Sequence, residues 1–170
     1  GGPQPISVIS SDREARISTG NGELDRVLGG GFVPGSVILV GGDPGIGKST
    51  LALQMLNYVS ERVSRGGAGE HSFLYVTGEE SPVQVKMRAE RTGVSSGDVY
   101  VLTETSVEAI LQEMGKLAPE IVVIDSIQTM FTETFASAPG SVGQIRESTA
   151  RLMQFAKSSG TAVFLIGHVT

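Results

Sequence analysis

Gly42-Asp43-Pro44-Gly45-Ile46-Gly47-Lys48-Ser49-Thr50 fits the pattern G-x-x-x-x-G-K-[ST]. The residues before it, Ser36-Val37-Ile38-Leu39-Val40-Gly41, form an apolar run of strand length. Those after it, Leu51-Ala52-Leu53-Gln54-Met55-Leu56, are mostly strong helix formers. A glycine-rich loop between a buried strand and a helix has a physical use. Glycines let successive backbone N–H groups turn inward onto phosphate oxygens, and the helix presents its positive end to them. In that arrangement Lys48 reaches the β and γ phosphates and the Ser49 hydroxyl ligates Mg²⁺. Gly42 through Thr50 are therefore the candidate nucleotide-binding residues.

Working outward, the rest of the chain limits what can surround such a loop. Its 170 residues suit one domain, and 39% hydrophobic with 18% charged residues suits a packed core. No apolar run is long enough to span a bilayer and no signal-peptide pattern is present, so no membrane role is expected. Gly1-Gly2-Pro3 reads as the edge of a fragment. The absence of cysteine excludes disulfides, thiolate zinc sites and cysteine nucleophiles from this chain, and it fits a reducing, cytoplasmic location. A net charge of −5 argues against a broad basic face wrapped by duplex DNA. With no Trp, 3 Tyr and 6 Phe, large base-stacking platforms are not expected either.

Residues 1–16 carry little apolar periodicity and read as a flexible lead-in, with one domain over 17–170. Leu24, Val27 and Leu28 fall at helical spacing and predict a short helix, ended by Gly29-Gly30-Gly31. The helix after the phosphate loop is expected to reach about Ser64, before the glycine-rich break Arg65–Glu70. Phe73–Thr77 reads as a second strand, Val99–Leu102 as a third, Ile121–Asp125 as a fourth and Thr161–Gly167 as a fifth. Ser81-Pro82-Val83-Gln84, Thr105-Ser106-Val107-Glu108 and Ser141-Val142-Gly143-Gln144 each have the form of a capping box that opens a helix. Apolar strands alternating with helices predict an α/β fold, a mainly parallel sheet covered by helices on both faces. Its site belongs at the carboxyl ends of the strands. Lys48, Glu79, Asp125 and His168 all stand just past strand ends on that edge.

Asp125 follows four apolar residues, so its carboxylate is placed to hold Mg²⁺ opposite Ser49. Triphosphate hydrolysis also needs a group that orients the attacking water. With Asp125 given to the metal, Glu79 is the first candidate and Glu80 the second, although Glu80 also suits the N-terminus of the helix that Ser81 opens. His168, at the end of the fifth strand, is placed to sense the γ-phosphate. Lys48, Glu79 and His168 are thus the candidate catalytic residues, and Ser49 and Asp125 the candidate metal ligands. His71, in the glycine-rich break, reads as solvated. Arg146, Arg151 and Lys157 share one helix and read as a solvated face that is also open to a DNA-facing role. Lys86, Arg88 and Arg91 are open to flanking the base or a neighbouring subunit.

Taken together, several stretches resemble the RecA superfamily and, within it, the ATPase core of a bacterial DNA-repair family. They are Ile17–Gly20, Leu24–Gly31, Gly41–Thr50, Gly78–Ser81, Ile124-Asp125-Ser126-Ile127-Gln128-Thr129, Ser137-Ala138-Pro139-Gly140-Ser141-Val142 and Gly167–Thr170. The resemblance implies a RecA-like P-loop core cut short at its C-terminal end, with ATP and Mg²⁺ as cofactors. It also implies a cytoplasmic, DNA-dependent ATPase of recombinational repair whose hexameric rings bind single-stranded DNA and drive branch migration as a helicase does. Glu79 takes the position of the water-activating glutamate. His168 takes that of the residue coupling the γ-phosphate to DNA binding, and Thr132–Gly140 that of the first DNA-binding loop. The family's four-cysteine zinc module would lie before residue 1. Its second DNA loop, Lys-Asn-Arg-Phe-Gly motif and protease-like domain would lie after Thr170, as would the residues with which a neighbouring subunit completes the ATP site. A chain ending at Thr170 is therefore expected to hydrolyse ATP weakly and to leave Val37–Gly41 as an apolar edge strand. The Gly78–Ser81 segment also resembles KaiC-like signalling ATPases, and a nucleotide-switched assembly module without useful catalysis is the further alternative.

Overall fold

A computed structural model describes residues 1–9, 16–42, 47–65 and 70–168 of the chain. Five parallel strands form one sheet: β1 (Val37–Val40), β2 (Phe73–Thr77), β3 (Val99–Thr103), β4 (Ile121–Asp125) and β5 (Ala162–Ile166), in the order β1-β5-β4-β2-β3. Five helices accompany them: α1 (Gly22–Val27), α2 (Lys48–Arg65), α3 (Pro82–Arg91), α4 (Val107–Leu117) and α5 (Val142–Ser159). The expected α/β architecture is therefore present.

Strand parity builds two cores. Phe73, Tyr75, Ile121, Val123, Phe164 and Ile166 point to one face and pack with Leu53, Leu56 and Val59 of α2 and Val85 and Ala89 of α3. Leu74, Val76, Val122, Ile124, Val163 and Leu165 point to the other and meet Val107, Ile110 and Met114 of α4 and Leu152 and Ala156 of α5. The central strands β2, β4 and β5 are buried throughout, which is why they read as unbroken apolar runs. Among the described strands β1 pairs only with β5, so it lies at a sheet edge, with Leu39 68% exposed. This is the apolar edge expected from the sequence.

Register sets the functional edge. Val40 pairs with Ile166, Ile166 with Asp125, Asp125 with Thr77 and Thr77 with Thr103. All five strands therefore end along one line. The residues that follow them, Gly41, Gly167, Ser126, Gly78 and Glu104, form the rim on which a ligand would rest.

The local signals were decoded unevenly. At α3 the capping box is complete: the Ser81 hydroxyl accepts from Gln84 N at 3.2 Å and Ser81 N donates to Gln84 Oε1 at 2.8 Å. At α4 the N-cap is Ser106 rather than Thr105, one residue later than expected, and it accepts from Ala109 N at 3.3 Å. Glu108 is then no longer at the reciprocal position and serves another purpose. At α5 the Ser141 hydroxyl caps Gln144 N at 3.3 Å, but the Gln144 side chain does not return to close a box. On α3 the buried side is Val85 and Ala89, leaving Val83 and Met87 exposed. In the short α1, Val27 is 81% exposed although it shares the helical spacing of Leu24 and Leu28.

Ahead of β1, Ile17 and Phe32 exchange backbone hydrogen bonds at 2.9 and 2.8 Å. Gly31 has φ +136°, and a Cβ there would lie 2.2 Å from the Ile17 carbonyl oxygen, so the crossing of the two segments requires glycine. Asp25 gathers the Ser18 hydroxyl, the Thr19 N–H and the Thr19 hydroxyl. Burial pushes the Asp25 carboxyl up, but these donors and the Arg62 charge outweigh it and hold the group below the usual carboxylate range.

Candidate nucleotide-binding site

Of the phosphate-loop residues, Asp43, Pro44, Gly45 and Ile46 lie outside the described residues, as do Val169 and Thr170. The flanks are clear. Gly42 ends the strand side with φ +147°, and a Cβ there would stand 3.8 Å from Lys48 Nζ. Gly47, φ +80°, leads into α2, whose first residues are Lys48, Ser49 and Thr50. The Lys48 ammonium donates to Gly42 O at 2.9 Å and to Gly167 O at 3.1 Å. It therefore bridges the ends of β1 and β5 through two neutral carbonyls, groups that an anionic phosphate outcompetes for a cation.

Ser49 and Asp125 meet directly. The Ser49 hydroxyl donates to Asp125 Oδ2 at 2.5 Å across the gap between α2 and β4. Asp125 is 8% exposed, so its carboxylate is a buried charge aimed at the first turn of α2. A hydroxyl and one carboxylate beside a phosphate cradle fit Mg²⁺, which keeps most of its waters and shares its remaining positions with phosphate oxygens. Among the described residues no three acidic or histidine side chains gather into an all-protein cage.

The same carboxylate oxygen is also held from β2, by a network that carries no sequence motif. The fully buried Tyr75 hydroxyl donates to the same Asp125 Oδ2. Arg88 Nη2 donates to the Tyr75 oxygen at 3.1 Å and to Glu80 Oε1 at 2.7 Å. Burial first, and then the Asp125 charge and hydrogen bond, push the Tyr75 phenol far above its ordinary range, so it remains a donor. The available signal was Tyr75 itself, a hydroxyl within a strand buried on both faces, since such a group needs a partner. Glu80 is thereby committed to Arg88. Glu79 is exposed, and among the described residues its carboxylate has no hydrogen bond or ion pair. Both of their backbone N–H groups point to Thr77 Oγ1, at 3.4 and 3.3 Å, which sets the turn after β2.

At the end of β5 the Gln128 amide donates to His168 O at 3.0 Å. Gln128 follows Asp125 in a short 3₁₀ segment, Ile127–Thr129, so the ends of β4 and β5 are tied together. His168 Nδ1, Gln128 Oε1 and Ser126 Oγ are buried without hydrogen-bond partners among the described residues. Orphaned polar atoms on the rim beside Lys48 are what a site built for water and phosphate would leave. Lys48, Ser49, Asp125 and His168 are thus brought to one rim, with Glu79 two residues beyond the position abreast of Asp125.

The sequence profile described as "AAA domain" matches residues 4–170. The chain belongs to the AAA domain family. It is 52% identical over 168 residues to the DNA repair protein RadA of Halalkalibacterium halodurans, covering 99% of this chain and 35% of the relative. It is 53% identical over 165 residues to the DNA repair protein RadA of Pseudomonas aeruginosa, covering 97% of the chain and 35% of the relative. To that of Bacillus subtilis it is 49% identical over 168 residues, with 99% and 35% covered. The chain thus spans about a third of the length of the curated relatives it matches. This AAA domain has the RecA-like α/β architecture expected from its motifs.

The segment of the AAA domain after β4 is tied down by side chains that looked like helix caps. The Gln144 amide nitrogen, sharing its two protons among three acceptors, donates to the carbonyls of Thr132, Phe135 and Ser137 at 3.1, 2.7 and 2.9 Å, and its own oxygen accepts from Thr132 N at 2.8 Å. Glu108 accepts from the Thr132 hydroxyl at 2.8 Å and from Glu133 N at 2.7 Å, and pairs with Arg151 at 3.2 Å. These tasks take Gln144 and Glu108 away from their own helix termini. They also occupy Arg151, which leaves the exposed Arg146 and Lys157 as the cations of that predicted face without a partner among the described residues. His71 is not simply solvated: its Nδ1 lies against the Glu120 carboxylate. Gln144→Ala is expected to destabilise the domain by about 2–4 kcal/mol, because buried backbone groups lose their partners. Chemical denaturation monitored by circular dichroism measures this, and an unchanged midpoint would contradict it.

Proposed function

We propose that this chain is the ATPase core of a DNA-repair motor that hydrolyses Mg·ATP and is stimulated by single-stranded DNA. The observation that carries the reading is the convergence of Lys48, Ser49 and Asp125 at the aligned strand ends, in a domain about half identical to DNA repair proteins RadA. Lys48 holds the β and γ phosphates in place of the Gly42 and Gly167 carbonyls. Ser49 and Asp125 would hold Mg²⁺, which would supply charge neutralisation on the phosphates. The Glu79 carboxylate polarises a water whose oxygen attacks the γ-phosphorus. The bond to the ADP oxygen breaks, and the water proton passes to Glu79. His168 reads the γ-phosphate at the end of β5, and Gln128 carries that contact toward the segment after β4.

Thr132–Gly140 is the proposed DNA-contacting loop. It contains Glu133 and no Lys or Arg, so contacts there fall to hydroxyls, backbone N–H groups and the Phe135 ring, which is 40% exposed. Such contacts bind a flexible strand better than a duplex backbone. We further propose a cytoplasmic, ring-shaped, hexameric assembly that acts in recombinational repair by branch migration. No helix among the described residues is long and apolar enough to cross a membrane. ATP hydrolysis by the full-length protein, measured with and without single-stranded DNA, tests the proposal. Faster turnover with DNA supports it. Equal turnover favours a signalling ATPase, and no turnover in either condition favours a non-catalytic nucleotide switch.

A further inference from the structure

We propose that Tyr75 and Arg88 form a positioning pair that locks the Asp125 carboxylate in its metal-facing orientation and ties it to the turn carrying Glu79. The proposal rests on the reading of Asp125 as the metal-side carboxylate. The terminal torsion of an aspartate is broad, so a carboxylate that must present one oxygen to a metal needs an external lock. Ser49 is not sufficient, because its hydroxyl is itself given to the metal. The Tyr75 ring packs in the core, while its hydroxyl, with no access to solvent, meets the site through Asp125 Oδ2.

Arg88 gives the lock a direction. A phenol has one proton and can also accept. Because Arg88 Nη2 donates to the Tyr75 oxygen at 3.1 Å, the phenolic proton is left for Asp125. The guanidinium carbon also stands 5.7 Å from the Tyr75 ring centroid, which holds it over the ring face. The same Nη2 donates to Glu80 Oε1 at 2.7 Å, so one nitrogen joins the phenol to the residue after Glu79. Arg88 Nε stays buried and unpartnered among the described residues. The guanidinium is thus placed for these two bonds at the expense of a third, as expected of a group set for orientation. The chain Ser49–Asp125–Tyr75–Arg88–Glu80 therefore joins the metal side of the site to the turn that carries the proposed water activator.

The test is a Mg²⁺ titration of N-methylanthraniloyl-ATP binding by the full-length protein, together with its ATPase kinetics. Tyr75→Phe keeps the ring packing and removes only the hydroxyl. It should raise the Mg²⁺ concentration for half-maximal binding by about tenfold, the effect of losing a hydrogen bond to a charged group. Apparent nucleotide affinity at saturating Mg²⁺ should stay near wild type, while the melting temperature without ligand falls by about 2–4 °C for the buried hydrogen bond lost. Arg88→Met should shift the Mg²⁺ dependence in the same direction by less, and Arg88→Lys should recover part of it. The Arg88 pair decides the matter even if Tyr75→Phe folds poorly. Asp125→Asn separates the two levels. If it leaves the Mg²⁺ dependence unchanged, the metal-side reading falls and the proposal with it. If Asp125→Asn removes the dependence while the Tyr75 and Arg88 variants behave as wild type, the positioning pair is overturned and the metal reading stands.

Discussion

Glu79→Gln is expected to lower ATP turnover by about 10²- to 10⁴-fold, the usual contribution of a positioned general base. Binding of Mg·ATP should remain. Three features of the structure lead to that separation. Glu79 stands just past β2, whose last residue Thr77 is abreast of Asp125, so it shares the rim with the proposed metal side. It is exposed, and among the described residues its carboxylate is engaged with nothing. Its removal therefore leaves no charge unpaired and should not alter stability. Glu80, the alternative water activator, is held by Arg88 at 2.7 Å and is the less available base. Glu80→Gln should consequently reduce turnover less than Glu79→Gln. Steady-state hydrolysis and equilibrium binding of a fluorescent ATP, measured on both variants, check the assignment. Full turnover in Glu79→Gln would remove Glu79 from the chemistry.

Lys48→Ala should abolish nucleotide binding at working concentrations and lower turnover by at least about 10³-fold. The scale is that of deleting a preorganised donor which stabilises developing charge. Lys48 donates to the carbonyls of Gly42 and Gly167, neutral acceptors whose loss of the ammonium leaves no charge unpaired. The fold therefore has little need of the ammonium, while the phosphates have no other described cation at the loop. A variant that melts like wild type yet fails to bind ATP is the expected outcome. Wild-type binding and hydrolysis would refute the site.

Most of the fold was legible because its signals are local. β2, β4 and β5 lie inside a doubly covered sheet, so their burial appears as continuous apolar runs, and the Pro82 helix announces itself through a complete capping box. The rim positions of Lys48, Asp125 and His168 followed from the same order of elements. What could not be read were long-range uses of polar side chains. Gln144 and Glu108 carry capping patterns in sequence, but each has a stronger set of partners in the segment after β4. The helix then begins with Ser106, or keeps only half of its box. Tyr75 looked like core because its ring is core, and only its hydroxyl, meeting Asp125 from 50 residues away, belongs to the site. Arg88 gave no signal beyond charge on a helix whose other basic residues face solvent.

Lys48, Ser49 and Asp125 are proposed to enclose one Mg·triphosphate. A crystal structure of the full-length protein with Mg²⁺ and a non-hydrolysable ATP analogue is the decisive measurement. Lys48 Nζ is expected to leave the Gly42 and Gly167 carbonyls for the β and γ phosphates. Mg²⁺ is expected between Ser49 Oγ and the Asp125 carboxylate, directly or through a bound water. Triphosphate density away from Lys48, or a metal that touches neither Ser49 nor the shell of Asp125, would contradict it.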